Sequence, residues 1–493
     1  VYLYLAGAIA NNVKVVFVRY VPSRHTLEYL RENSVKNSHM LRVSKALTSC
    51  SSGIIIIIIC STGNLRNMAA GSRFMPSPSF LLVGLVLLLG ASKNNQSARA
   101  ANIDGIDPDL LVWEARSGFP GGEVHHPITF ANATHGFVFS GSTYTDSYTS
   151  FLWVYEAATD SWTDLSETEY AFPGLKRSYG YGVASTTDCS NSKAYLGFGA
   201  GENSARLSDW WEFDMSTLSW RQLADFPGLG RRHPAMNFVE PLGEIHVGLG
   251  DGLLGNYNDY WSYNIERDEW RQLDDFPSSR RHHPFYFAID MDSYVGLGHS
   301  DGSEPYIEKD WYRYDALEET WSREEDFASY ALGMLDSPPV TTEGRVAGTQ
   351  FSVAGSCSSD QTLGFVLSGD GDNHGTMPTG EFHVFDPEDN SIWHSLPPHP
   401  GPSRWAPGSF VLQGSSTAFL LGGYDRQQRI LFSDLWSIDL EPLFDEAETL
   451  MDDDNATVLE GELSESSSAQ RFRDLVSLIV AISPLTVLLY TSL

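Results

Sequence analysis

Four segments of the chain carry arginine, histidine or both at matching positions: FPGGEVHHP from Phe119, FPGLKRSYG from Phe172, FPGLGRRHP from Phe226 and FPSSRRHHP from Phe276. Counted from the Phe, Arg177, Arg231 and Arg281 share one offset, and His126, His233 and His283 share another. A related segment, PGPSRWAPG, places Arg404 near the same point. Converging guanidinium groups present planar forks suited to carboxylate or sulfate, so a cationic collar for an anionic ligand is one expectation. The other is that each Arg recurs through duplication and ties its loop to backbone carbonyls. The His-Pro pairs lack the tight spacing of a metal motif and Pro suits strand entry, so no metal, cofactor or catalytic residue is expected.

The elements that must position these residues form a repeat. DWWEFDMSTLSWRQLADFPG from Asp209, DYWSYNIERDEWRQLDDFPS from Asp259 and DWYRYDALEETWSREEDFAS from Asp310 share one frame. It returns at Trp153 to Trp162 and, more loosely, at Phe382 to Trp393. Upstream of each unit an apolar alternation ends in glycine, as at Gly197 to Gly201, Gly248 to Gly252 and Gly422-Gly423. Alternation punctuated by glycine predicts short antiparallel strands, four to a repeat of roughly 50 residues, which is the size of a propeller blade. Trp113, Trp162, Trp220, Trp270, Trp321 and Trp393 mark six fourth strands. The last repeat has only three strands of its own, so the segment Leu110 to Glu114 is expected to complete it and close the ring.

The glycines, the aromatic-x-aromatic-Asp third strand and the Trp of the fourth resemble Kelch repeats over the folded region. The fold class is therefore expected to be all-β: a six-bladed Kelch-type β-propeller, its last blade closed by the N-terminal strand. Blade one departs from the pattern with Gly141-Ser142, and blade five with an insertion from Phe327 to Gln350 placed on the loop face. The resemblance implies binding at the loop face. It extends to galactose oxidase, whose copper site includes a Cys-Tyr crosslink, and to sialic-acid mutarotases. Neither Cys189 nor Cys357 falls on the loop face, so the oxidase site cannot be mapped.

Acidic residues outnumber basic ones 63 to 32 among 493, for a formal charge of -31, which argues against a nucleic-acid partner. Residues 1–67 read as a gene-prediction extension or disorder, and 68–100 as a signal peptide with Arg73, the apolar run Phe80 to Leu89 and Ala98-Arg99-Ala100. The propeller takes 101–440, and 441–474 is an acidic, Ser-rich stalk. Residues 475–493 are an apolar tail, read either as a GPI-attachment signal or as an uncleaved membrane anchor. Secretion makes Asn132 and Asn455 usable glycosylation acceptors. It also permits a disulfide between Cys189 and Cys357, which sit on opposite blades and could meet only through long turns. The function expected is a cell-surface, non-catalytic binding module for an extracellular protein or anionic glycan. A carbohydrate-active enzyme working at the channel mouth is the alternative.

Overall fold

The computed structural model describes residues 103–301, 306–357, 362–387 and 392–444, together with the backbone of 9–10, 13–20 and 53–59. The signal-peptide assignment, residues 445–474 of the stalk, Asn455 and the apolar tail lie outside the described residues; the stalk begins later than expected, because Glu441–Leu443 form a 3-10 turn that buries Leu443 against the propeller core. Ile9–Ala10, Val13–Tyr20 and Gly53–Ile59 pair as a three-stranded antiparallel sheet. Among the described residues no helix is long and apolar enough to cross a membrane.

From residue 113 onward the chain is an all-β propeller of six small antiparallel sheets. Blade three shows the plan, with Ala235–Val239 innermost, then Glu244–Gly248, Tyr260–Asn264 and Glu269–Gln272 outermost. The inner strands of the six blades are Ile128–Ala131, Tyr181–Ala184, Ala235–Val239, Phe285–Ile289, Thr349–Ala354 and Gly408–Val411. Each touches the next, and the sixth touches the first, so they enclose a central channel. Thr129 Oγ1 donates to the Ser409 carbonyl at 2.6 Å across the junction of the first and last blades. In blade six the strand Trp113–Arg116 pairs antiparallel with Leu435–Asp439, from Trp113↔Ile438 to Arg116↔Leu435.

Burial follows from this stacking. Blade three's inner strand is almost wholly buried because the sheet is covered on both faces, whereas in its outer strand only Trp270 is even part-buried. That Trp enters the wedge between blades, edge-on to Phe226 at 5.0 Å and Trp210 at 5.5 Å, and its Nε1 donates to the Ala224 carbonyl at 2.8 Å. Trp162, Trp220 and Trp321 donate in the same manner to Ser117, Tyr170 and Asp274, and Trp113 donates to Pro397 of blade five. Large aromatic area and a satisfied indole N–H explain Trp at these five positions, whereas the buried Trp393 Nε1 of blade five meets no partner and that Trp is retained for its area alone.

Two features differ from the sequence expectation. The insertion in blade five is only partly a loop: Ser329–Ala331 pairs in parallel with the outer strand Ile392–His399 and gives that blade a fifth, outermost strand, while its far end, at Val346 and Ala347, returns to the loop face. The glycine pair is also more permissive than it reads. Its first member, at left-handed φ, is Ser140, Phe198, Leu249, Leu297, Ser368 or Gly422, and only the second is always Gly. A Cβ on Gly250 (φ +89°) would lie 2.5 Å from the Arg232 carbonyl oxygen, so glycine is required where the chain entering the inner strand passes.

At the opposite end of the channel, Cys189 and Cys357 form a disulfide with Cα atoms 5.7 Å apart. The turn after Tyr181–Ala184 is long enough to reach across the channel. Glu240 of blade three accepts from the Thr186 N–H at 2.8 Å, and the blade-six Gly414 N–H and Gln413 Nε2 donate to Thr186 and Asn191 carbonyls at 3.3 and 2.7 Å. Asn132 lies at the same end, in the turn between the first two strands of blade one, and its Oδ1 caps the Thr134 and His135 N–H groups.

Candidate functional site

At the other end, the loop entering each inner strand pairs with the loop between the second and third strands. The bridges His125↔Ser142, Ser178↔Ala200, Arg232↔Asp251, Val346↔Asp370 and Trp405↔Tyr424, with the His282↔His299 pairing, repeat around the ring. These loops form the channel mouth.

The arginines do not form an open collar there. The side chains of Arg177, Arg231 and Arg281 have no solvent exposure, and that of Arg404 has 2%. Each is forked onto the aspartate that opens its blade's third strand: Asp209, Asp259, Asp310 or Asp434. Arg231 shows the full set. Its Nη1 and Nη2 donate to Asp259 at 2.7 and 2.8 Å, Nη1 also donates to the Leu249 carbonyl at 2.9 Å, and the guanidinium lies over Phe226 and Tyr257. Burial works against the Asp259 carboxylate, yet Arg231 holds its pKa below the usual range. The arginine's own carbonyl accepts from the glycine N–H of the preceding blade, as Gly199 N to Arg231 O at 2.8 Å and Gly250 N to Arg281 O at 2.9 Å. These residues are staples within and between blades. Blade five carries an arginine the repeat frame hides: Arg345 pairs with Glu381. Blade one has Val124 and Phe151 in the corresponding places, an apolar pair in one cluster.

Two residues beyond the arginine position, the chain turns to positive φ in every blade, at His126, Tyr179, His233, His283, Ala347 and Ala406. Backbone hydrogen bonds link these positions, with His126 N to Ala406 O at 2.8 Å and His233 N to Tyr179 O at 3.0 Å. The left-handed turn aims the side chains at the axis, so His126, His233 and His283, from three separate blades, meet there. His126 Nε2 lies 3.1 Å from His283 Nε2 although their blades face each other across the ring. The His233 and His283 rings stack at 3.5 Å. Burial, then the neighbouring histidines, pushes His126 and His283 well below the usual imidazole range. His233 is lowered by burial, against the pull of Asp251, whose Oδ1 is 2.8 Å from His233 Nδ1.

Sequence reasoning missed the residues that surround this cluster. Arg232, the other member of the Arg-Arg pair, is 29% exposed and lies over Tyr179 while bonding Asp251 at 2.6 Å. Arg206 reaches the same carboxylate at 3.6 Å. Across the mouth Arg426 lies over Trp405 and pairs with Asp370. His125 and His282 complete the rim, lowered by burial to about 4 and about 3. The mouth thus combines neutral imidazoles, part-exposed aromatic rings and guanidinium groups. That set can stack on a sugar ring and bind an acidic substituent. No protein-family model matches the chain, and no curated protein matches it.

Proposed function

We propose that the protein is a secreted, surface-held propeller of the Kelch type that binds an extracellular partner at its channel mouth without transforming it. Of a protein or an anionic glycan, an acidic glycan suits the mouth better. The observation that carries this reading is the pairing of Arg232 with Tyr179 and of Arg426 with Trp405 around the axis. In each pair a part-exposed guanidinium lies over a part-exposed ring. Arg206 and Arg232 set two guanidinium groups against the single Asp251 carboxylate, which favours an incoming anion on a chain that is acidic overall.

Kelch membership is supported by the repeated glycine, aromatic and Trp positions. Secretion and surface attachment are supported by the signal-like segment at 68–100 and the apolar tail at 475–493, where a GPI signal and an uncleaved anchor compete. Release of surface-displayed protein by phosphatidylinositol-specific phospholipase identifies the former, and retention the latter. The binding reading is tested on an array of neutral, sulfated and carboxylated glycans with the secreted protein. Binding restricted to acidic glycans and weakened at least tenfold by Arg232→Ala is expected; no retention of any acidic glycan counts against it. A second reading, a carbohydrate-active enzyme, draws on the His233–Asp251 pair, in which a carboxylate orients a neutral imidazole as it would a general base. Interconversion of sugar anomers by the protein would favour it.

A further inference from the structure

We propose that His126, His233 and His283 form a binding site for a divalent transition-metal ion of the zinc type, on the propeller axis. The site goes beyond the glycan-binding reading and does not depend on it. One ligand nitrogen from each of the three rings lies within 4.8 Å of the others, and all three residues are buried. Tetrahedral zinc, with nitrogens at about 2.0–2.1 Å, requires them about 3.4 Å apart. His126 Nε2 and His283 Nε2 are already 3.1 Å apart, and ion binding requires the His233 ring to turn out of its stack on His283 so that its nitrogen joins them.

The hydrogen bonding points the same way. His233 Nδ1 is committed to the Asp251 carboxylate, which fixes the proton there and leaves Nε2 with its lone pair. That Nε2 is buried and meets no hydrogen-bond partner, and neither does His283 Nδ1. An orphaned buried nitrogen costs about 1–3 kcal/mol. Burying the His233 Nε2 lone pair without a partner is therefore unfavourable until a cation accepts it. A carboxylate behind a ligating His is the usual support for a metal, and Arg232 and Arg206 hold Asp251 in place. Ala347 and Ala406 fill the two ring positions between His283 and His126 and bring no competing polar group to the cluster. Three neutral nitrogens without a thiolate favour zinc or copper(II) over calcium or magnesium.

The test uses the full secreted protein, stripped with a chelator and titrated with zinc chloride at pH 7.5 by calorimetry. One ion per chain is expected. His233→Gln and His283→Gln should each weaken binding at least tenfold, Asp251→Asn should weaken it about 10- to 100-fold, and His135→Gln, at the far end of the channel, should leave it unchanged. Should the histidine variants fail to fold, X-ray absorption of the zinc-loaded unmodified protein decides: three imidazole nitrogens at about 2.0 Å are expected. Absence of binding, equal affinity in the folded His233→Gln variant, or a zinc shell with fewer than three imidazoles overturns the proposal.

Discussion

Replacing Arg231 with Ala separates a staple from a ligand contact. Its side chain has no solvent exposure and makes two bonds to Asp259, one to the Leu249 carbonyl and one to the Leu229 carbonyl, while filling the gap between Phe226 and Tyr257. Truncation leaves a mostly buried carboxylate with only the Trp261 Nε1 bond at 2.8 Å from a side chain. Breaking a buried pair from one side costs about 3–5 kcal/mol. For a ring of roughly 340 residues, unfolding entropy is near 0.7 kcal/mol per degree, so the melting temperature should fall by about 4–7 °C. Arg231→Met with Asp259→Leu should recover most of that loss, as the apolar Val124 and Phe151 of blade one suggest. Differential scanning calorimetry of the two single variants and the double variant measures each term. A fall below about 1 °C for Arg231→Ala, with glycan binding abolished in the folded protein, would refute the staple and restore the collar.

Three other outcomes follow from the same geometry. Burial depresses His125 to about 4 and His282 to about 3, so from pH 6.5 downward the unfolded chain binds protons that the native chain does not. Stability should therefore drop as pH falls from 7 to 5, by up to about 1.4 kcal/mol per pH unit for each such histidine; a pH-independent melting temperature in that window contradicts it. Beginning the mature protein at Ser117 removes Trp113–Arg116 and bares the edge of Leu435–Asp439, and sedimentation should then show aggregation that the intact protein lacks. Cys189→Ser removes a link spanning 168 residues, worth at most about 5 kcal/mol by loop entropy, and should lower the melting temperature under oxidising conditions and make it insensitive to reductant.

The architecture was legible because each blade repeats a frame whose glycine, aromatic and Trp positions have backbone and packing causes. The site was legible in composition and not in direction. Arg231 and His233 stand two residues apart in one loop, yet the left-handed turn at His233 sends the imidazole to the axis while the guanidinium runs into the blade. The signal against an open collar was present in the repeats themselves. An Asp opens the units at Asp209, Asp259 and Asp310, in register with each arginine, and Phe151 stands there in blade one, where Val124 replaces the arginine. The histidine cluster lacked a metal motif in the sequence because its members come from three blades, and only ring closure makes them neighbours. The fifth strand of blade five, Ser329–Ala331, had no repeat to announce it.

Hydrogen–deuterium exchange of the secreted protein with and without an acidic glycan selected on the array tests the central claim, that the mouth is the binding surface. Slowed exchange is predicted in the inner-strand entry loops around His125, Tyr179, Arg232 and Trp405 and in the facing turn at Tyr424. Protection confined to the disulfide-closed end around Thr186 to Asn191, or to the outer strands, would contradict it.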